Sequence, residues 1–329
     1  MDTIVVWPYL VFLGIFAGII GSFFGMGAGW LIVPGLNVLG FPMPIAIGTG
    51  FAHMAGNSIS SFFQPSRFCD VDYKLGFIMS VGSVIGIEIG AQVVMRLELF
   101  RLADVSIRFM YLIFLITIVW MIYRDYSETV CGEGRELRGG RNSRGAYWSK
   151  VLHKFSLVPV VHFRTSGITC SVWLPFIVSV IAGILTGLMG IGGSILRIPV
   201  LVYILGCTTL VAVRTNLITV LIAGLYGVFT YGIKGRFEVE AAFIVLVCVG
   251  MGLKIGSVAS KYSTGCRIRP FFGGSVLCCA LALVFKQFGY GLFGYSLFMV
   301  ALGLLCCFIM KNMVAMIMGA YRDKYKHVE

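Results

Sequence analysis

Two long apolar stretches are interrupted by glycines at matching spacing: Gly25-Met26-Gly27-Ala28-Gly29 followed by Pro34, and Gly190-Ile191-Gly192-Gly193-Ser194 followed by Pro199. Glycine tolerates left-handed backbone, so such a run unwinds a helix and leaves backbone N–H groups open where the next helical segment begins. Inside a bilayer, an oxyanion must exchange its water shell for donors of this kind, with the positive end of a half-helix dipole behind them. Gly25, Gly27, Gly29, Gly190, Gly192 and Gly193 are the candidate amide donors, joined by the hydroxyls of Ser22 and Ser194. Close helix packing is the alternative use of each glycine run taken singly.

Charged and polar side chains near these runs extend the set. Arg197 and Arg214 lie within apolar stretches, where a charge costs about 2.5–3.5 kcal/mol even on insertion scales, so each needs a partner or a route to the interface. Arg197 directly follows the second glycine run, and a guanidinium grips a sulfonate or sulfite through paired donors. Arg214 sits close to a short loop after Cys207, where snorkelling competes with ligand contact. Thr49, Thr215 and Asn216 offer neutral donors. His53 and Asn57 follow Thr49 by one and two turns on one helix face, and His53 is a candidate proton-coupling group or a packed, hydrogen-bonded histidine. Glu88 and Lys254, at equivalent positions of the two halves, form the remaining coupling candidates and an expected ion pair.

These residues must be held by membrane helices. Hydrophobic residues make up 58% of the chain and charged ones 12%, with a mean hydropathy of +0.94, which excludes an ordinary soluble domain. Apolar spans fall at 7–40, 45–63, 75–95, 104–123, 172–206, 210–231, 241–260, 270–286 and 292–318. Spans 7–40 and 172–206 exceed the roughly 20 residues a crossing needs, so each is either a strongly tilted helix or a broken hairpin that enters and returns. Lys and Arg segregate more strongly to one side under the hairpin reading, which places residues 124–171 and the C-terminal tail in the cytoplasm and makes the two halves inverted repeats. The expected fold is therefore all-α and polytopic: a first repeat over 1–123, a basic extramembrane linker over 124–171, and a second repeat over 172–329 with an extra C-terminal helix. The net charge of +12 fits orientation in an anionic membrane better than nucleic-acid binding.

The ordered motifs resemble a known family, the sulfite exporter TauE/SafE-like permeases, also called the 4-toluene sulfonate uptake permease family. The likeness rests on Gly25–Pro34 and Gly190–Pro199, on Ala46–Thr49 and Ala212–Thr215, on Val71-Asp72, and on Gly86–Gly90 and Gly252–Gly256. It implies secondary transport of small anions, chiefly sulfur oxyanions or organosulfonates such as sulfite, thiosulfate or sulfoacetate, in a bacterial cell (inner) membrane. Arg214 stands where that family usually has glycine, and Ser194 replaces another.

The expected function is a permease for small anions working by alternating access, with lipid and a coupling proton or ion as further partners. A passive anion channel is the main alternative. An intramembrane serine protease using Ser194 and His53 is a weaker one, since the serine lacks the following glycine of a nucleophile elbow. No catalytic residue, metal site or cofactor is expected: the cysteines and histidines lack ligand spacing, and no phosphate-loop signature GxxxxGK[ST] occurs. Substrate identity, direction and oligomeric state are not encoded in any motif.

Overall fold

The computed structural model describes residues 3–23, 28–62, 71–130, 160–163, 168–262 and 269–326. Helices α1 (Thr3–Phe23), α2 (Gly29–Val38), α3 (Met43–Phe62), α4 (Tyr73–Leu99) and α5 (Ala103–Val130) precede a two-stranded antiparallel ribbon. The ribbon pairs β1 (Val160–Phe163) with β2 (Ile168–Ser171), Val160 opposite Ser171. Helices α6 (Trp173–Met189), α7 (Ser194–Pro199), α8 (Thr209–Ile233), α9 (Val239–Tyr262), α10 (Arg269–Gln287) and α11 (Gly291–Lys326) follow.

Among the described residues, five helical segments are long and apolar enough to cross a membrane: Tyr73–Leu99, Ala103–Trp120, Leu210–Ile233, Val239–Ala259 and Phe293–Lys311. Their outer faces carry large apolar side chains such as Phe77, Phe109, Trp120, Phe229 and Phe243, while Ser83, Ser179, Thr186, Thr215 and Thr219 are buried. Hydroxyls inside and aromatics outside is the arrangement that lipid, rather than water, favours.

The chain forms two compact units, one of Met1–Pro42, Val105–Gly134 and Phe243–Glu329, the other of Met43–Asp104 and Arg135–Ala242. Neither is a sequence half: each draws helices from both sides of residues 124–171. In the first unit α2 is buried along its whole length, against α1, α10 and α11. A Cβ placed on Gly35 of α2 would stand 2.6 Å from Leu13 Cδ1 of α1. Were α1 and α2 one tilted rod, the 1.5 Å rise per residue would hold those two positions about 30 Å apart. Helices α1 and α2 therefore fold back on each other as a hairpin.

The second unit repeats the device. Leu201, Leu205 and Cys207, beyond the second glycine run, share a core cluster with Leu75 and Met79, and Leu174 at the start of α6 packs against the same cluster. A straight helix would separate Leu174 from Leu205 by more than 40 Å at the same rise. Pro199 donates no backbone hydrogen bond, and the chain relaxes after it into a π-turn over Val200–Ile204, closed by Leu205 N–H donating to Val200 O at 3.0 Å. Val161 of the ribbon also rests on this cluster, so the end of the expected linker is a packed piece of structure. Residues 131–159 lie outside the described residues, Trp148 and Phe155 among them.

Glycines set the tightest helix contacts in both units. In the second unit α4 meets α6 through Gly82, Gly86 and Gly90 on one side and Gly183 and Gly187 on the other; a Cβ at Gly90 would lie 2.6 Å from Ile184 O, and one at Gly187 2.7 Å from Ile87 O. In the first unit Gly18 of α1 would place its Cβ 2.5 Å from Val249 O, and Gly252 and Gly256 of α9 abut Ile15 O and Ile19 O. The Gly-x-x-x-Gly helix of each sequence half thus packs on the helix that precedes the glycine run of the other half.

Candidate functional site

The second glycine run joins α6 to α7 within the second unit. Gly190, Gly192 and Gly193 have φ of 69°, 94° and 62°, values that residues with a Cβ rarely adopt. Gly190 N–H closes α6 by donating to Thr186 O at 2.6 Å, and Tyr231 Oη of α8 donates to Gly187 O at 2.6 Å. Helix α7 then starts at Ser194, with Arg197 N–H donating to Gly193 O at 3.0 Å.

Arg197 folds back over this bend. It is fully buried, 0% exposed. Its Nη1 donates to Gly192 O at 3.4 Å, while Nε and Nη2 have no hydrogen-bond partner among the described residues. Nε and Nη2 share one edge of the guanidinium, the fork that takes two oxygens of an oxyanion side by side. A Cβ on Gly193 would stand 2.9 Å from Nη2 and 3.0 Å from Cζ. Glycine at 193 thus serves two ends: it allows the left-handed turn, and it leaves room for the guanidinium.

Among the described residues, three other buried side chains of the unit carry polar atoms without a partner: Thr49 Oγ1, both ring nitrogens of His53, and Asn216 Oδ1. Asn216 Nδ2 donates to Ser194 Oγ at 2.9 Å, which ties α8 to the first residue of α7. The α3 turn bearing His53 reaches the bend through Met54, whose Sδ lies 2.8 Å from where a Cβ of Gly192 would be. Native interiors leave few polar atoms unpaired, so a guanidinium fork and an amide oxygen that are unsatisfied among the described residues make this bend the candidate site.

Thr215 is buried, but its Oγ1 accepts from Asp72 N–H at 3.1 Å and so holds the start of α4, where Asp72 Oδ1 caps Leu75 N–H at 3.2 Å. Arg214 is half-buried. Gly29 begins the buried α2 of the first unit, and Gly25 and Gly27 lie outside the described residues. Ser194 Oγ accepts from Asn216, and among the described residues no hydrogen bond joins it to His53.

Repeat equivalence suggests Lys254 as the partner of Glu88, but the carboxylate pairs instead with Lys234 of α8. Lys234 Nζ lies 3.3 Å from Glu88 Oε1, Tyr226 Oη donates to Oε2 at 3.0 Å, and Gln92 Nε2 donates to Oε1 at 3.2 Å. Lys254 is exposed on α9. The side chains of Lys234 and Glu88 remain 25% and 32% accessible. A double-mutant cycle of Glu88→Gln and Lys234→Met, read by thermal unfolding of the purified protein, is therefore expected to give a coupling of about 0.5–1 kcal/mol and no more.

Sequence reasoning passed over Thr186, Tyr231 and Met54, which shape the bend, and Lys234 and Tyr226, which fix Glu88. Thr186 carried a usable signal, since it stands one helical turn before Gly190. Tyr231 and Met54 carried none, because an aromatic or a methionine in an apolar helix looks like core.

The family model described as Sulfite exporter TauE/SafE matches residues 10–283. The chain is 26% identical over 260 residues to "Probable membrane transporter protein YunE" of Bacillus subtilis (strain 168), an overlap of 77% of this chain and 88% of the relative. It is 25% identical over 207 residues to "Probable membrane transporter protein MJ0441" of Methanocaldococcus jannaschii, covering 61% of this chain and 63% of the relative. No solved structure matches it.

Proposed function

The chain belongs to the sulfite exporter TauE/SafE family, a membrane transporter family, and from that premise we propose that it is a secondary carrier of small anions, sulfur oxyanions or organosulfonates, working by alternating access. One observation carries the anion: Arg197 is fully buried with its Nε–Nη2 edge unpartnered, and no carboxylate among the described residues pairs with it. A buried charge left so is strongly unfavourable unless a counter-charge arrives. An arriving oxyanion supplies it.

The proposed substrate contacts are Arg197, Asn216 and Ser194 at the Gly190–Gly193 bend, with Thr49 and His53 on the adjoining helix. Thr215 and Glu88 hold helices in place in this scheme, and His53 is the remaining candidate for proton coupling. Two features support two repeats over 1–123 and 172–329: each half contains a helical hairpin, α1 with α2 in one and the segments flanking Gly190–Gly193 in the other, and equivalent glycines line both seams. Alternating access between related repeats is the usual economy of such carriers. The excess of Lys and Arg in residues 124–171 and the tail supports a cytoplasmic position for both in a cell (inner) membrane.

Counterflow of radiolabelled sulfite, thiosulfate and sulfoacetate in proteoliposomes tests the reading. Saturable exchange is expected for at least one of them, and Gly192→Val is expected to lose it, because β-branched valine is strained at a φ of 94°. Large unsaturable flux would identify a channel instead, and no flux of any anion by folded protein would sink the sulfur-anion reading.

A further inference from the structure

Resting on the anion-carrier reading, we propose that the Arg197 site takes a singly charged oxyanion and discriminates against doubly charged ones. Charge balance is the first ground. Among the described residues of the second unit, the buried ionic side chains are Arg197 and Asp72, and the Asp72 carboxylate accepts from Leu75 N–H at the start of α4 while Arg197 is bonded to no carboxylate. Two ion pairs of the unit, Glu88 with Lys234 and Glu98 with Arg236, are each neutral in sum. Arg214 lies two residues from Asn216, about 200° round α8, and so faces away from the bend. The site thus presents one uncompensated positive charge. A monoanion brings the buried pair to neutrality, whereas a dianion leaves a second negative charge desolvated and unmatched.

Hydrogen-bond balance is the second ground. The Nε–Nη2 edge supplies two parallel donors, matched to two oxygens of one sulfonate, sulfite or carboxylate group. Asn216 Oδ1, at the same bend, is an acceptor with no donor. A fully deprotonated dianion offers only acceptors and leaves that oxygen unsatisfied. A singly protonated oxyanion, or a sulfonate with a hydroxyl group, brings the missing donor along with its single charge.

Probes whose charge does not change near neutral pH separate the two classes. Methanesulfonate and 2-hydroxyethanesulfonate carry one charge; sulfate and ethane-1,2-disulfonate carry two. Each is added as competitor to counterflow of radiolabelled sulfite by the full chain in proteoliposomes. The monoanions are expected to half-inhibit at concentrations at least about tenfold lower than the dianions, as an unmatched buried charge requires. Arg197→Lys keeps the charge without the fork, and is expected to weaken every competitor while leaving the monoanion preference. If monoanions compete no better than dianions while sulfite is still exchanged, the charge rule is wrong and the carrier reading stands. If folded protein exchanges none of sulfite, thiosulfate and sulfoacetate, the carrier reading itself fails.

Discussion

Arg197→Met is expected to abolish saturable anion exchange and at the same time to raise the melting temperature of the protein. The two effects share one cause. Among the described residues the guanidinium is 0% exposed and two of its three nitrogens lack partners, so these residues supply no counter-ion to a desolvated charge. Methionine has similar length, fills the same space and needs no hydrogen bonds. Replacing a poorly compensated buried charge by an apolar side chain of similar volume is stabilising by about 1–4 kcal/mol.

Transport moves the other way. Removing one partner of a buried, bidentate charge pair costs about 3–5 kcal/mol, which at 1.4 kcal/mol per decade is a loss of at least about a hundredfold in substrate affinity. Thermal unfolding of purified protein reads the first effect and counterflow the second. A variant that melts well below the unaltered chain would show that Arg197 is held by interactions the fold depends on, and its fork would lose its standing as a ligand site. Stabilisation with exchange intact would make the charge an evolutionary remnant and move the anion elsewhere.

The part of this site that was legible in the sequence is the part encoded by backbone and burial. Gly190, Gly192 and Gly193 declare themselves because glycine alone takes their φ values cheaply, and Arg197 because a lone cation in an apolar run is costly wherever it lies. Hydropathy could not decide whether residues 7–40 cross or return, because a hairpin and a tilted rod bury the same residues; the contact of Gly35 with Leu13 decides it. That Thr215 Oγ1 also accepts from the Asp72 amide could not be read from the sequence, because the two residues lie 143 positions apart. Glu88 was given Lys254 by repeat equivalence, but side chains pair by distance, and Lys234 is within 3.3 Å. The ribbon at Val160–Ser171 escaped notice because strands of four residues inside a polar segment carry little periodicity.

Gly86→Val is the second substitution with a large expected effect, here on stability first and on transport through it. A Cβ at position 86 would run into Val180 O and would lie 2.7 Å from Ile184 N and 2.8 Å from Gly183 Cα. All three are backbone atoms of α6, which no rotamer change can move aside. Helix α4 would have to withdraw from α6 along the seam, weakening the Ser83 Oγ to Ser179 Oγ hydrogen bond of 2.7 Å and the glycine contacts on either side. Overpacking in a close-packed interior costs about 1–3 kcal/mol, and more where the obstacle is backbone. Helix propensity opposes this, favouring valine over glycine by only a few tenths of a kcal/mol, so the clash decides the sign. Gly250→Ala supplies the contrast: nothing lies within 4 Å of a Cβ at that helical position of α9, so propensity acts alone and should stabilise by about 0.5–1 kcal/mol. Because α6 runs directly into the Gly190–Gly193 bend, Gly86→Val should lose exchange together with stability, while Gly250→Ala keeps it. Equal melting temperatures for Gly86→Val and the unaltered chain would mean that α4 and α6 do not approach this closely, and the glycine seam would cease to explain how the bend is held.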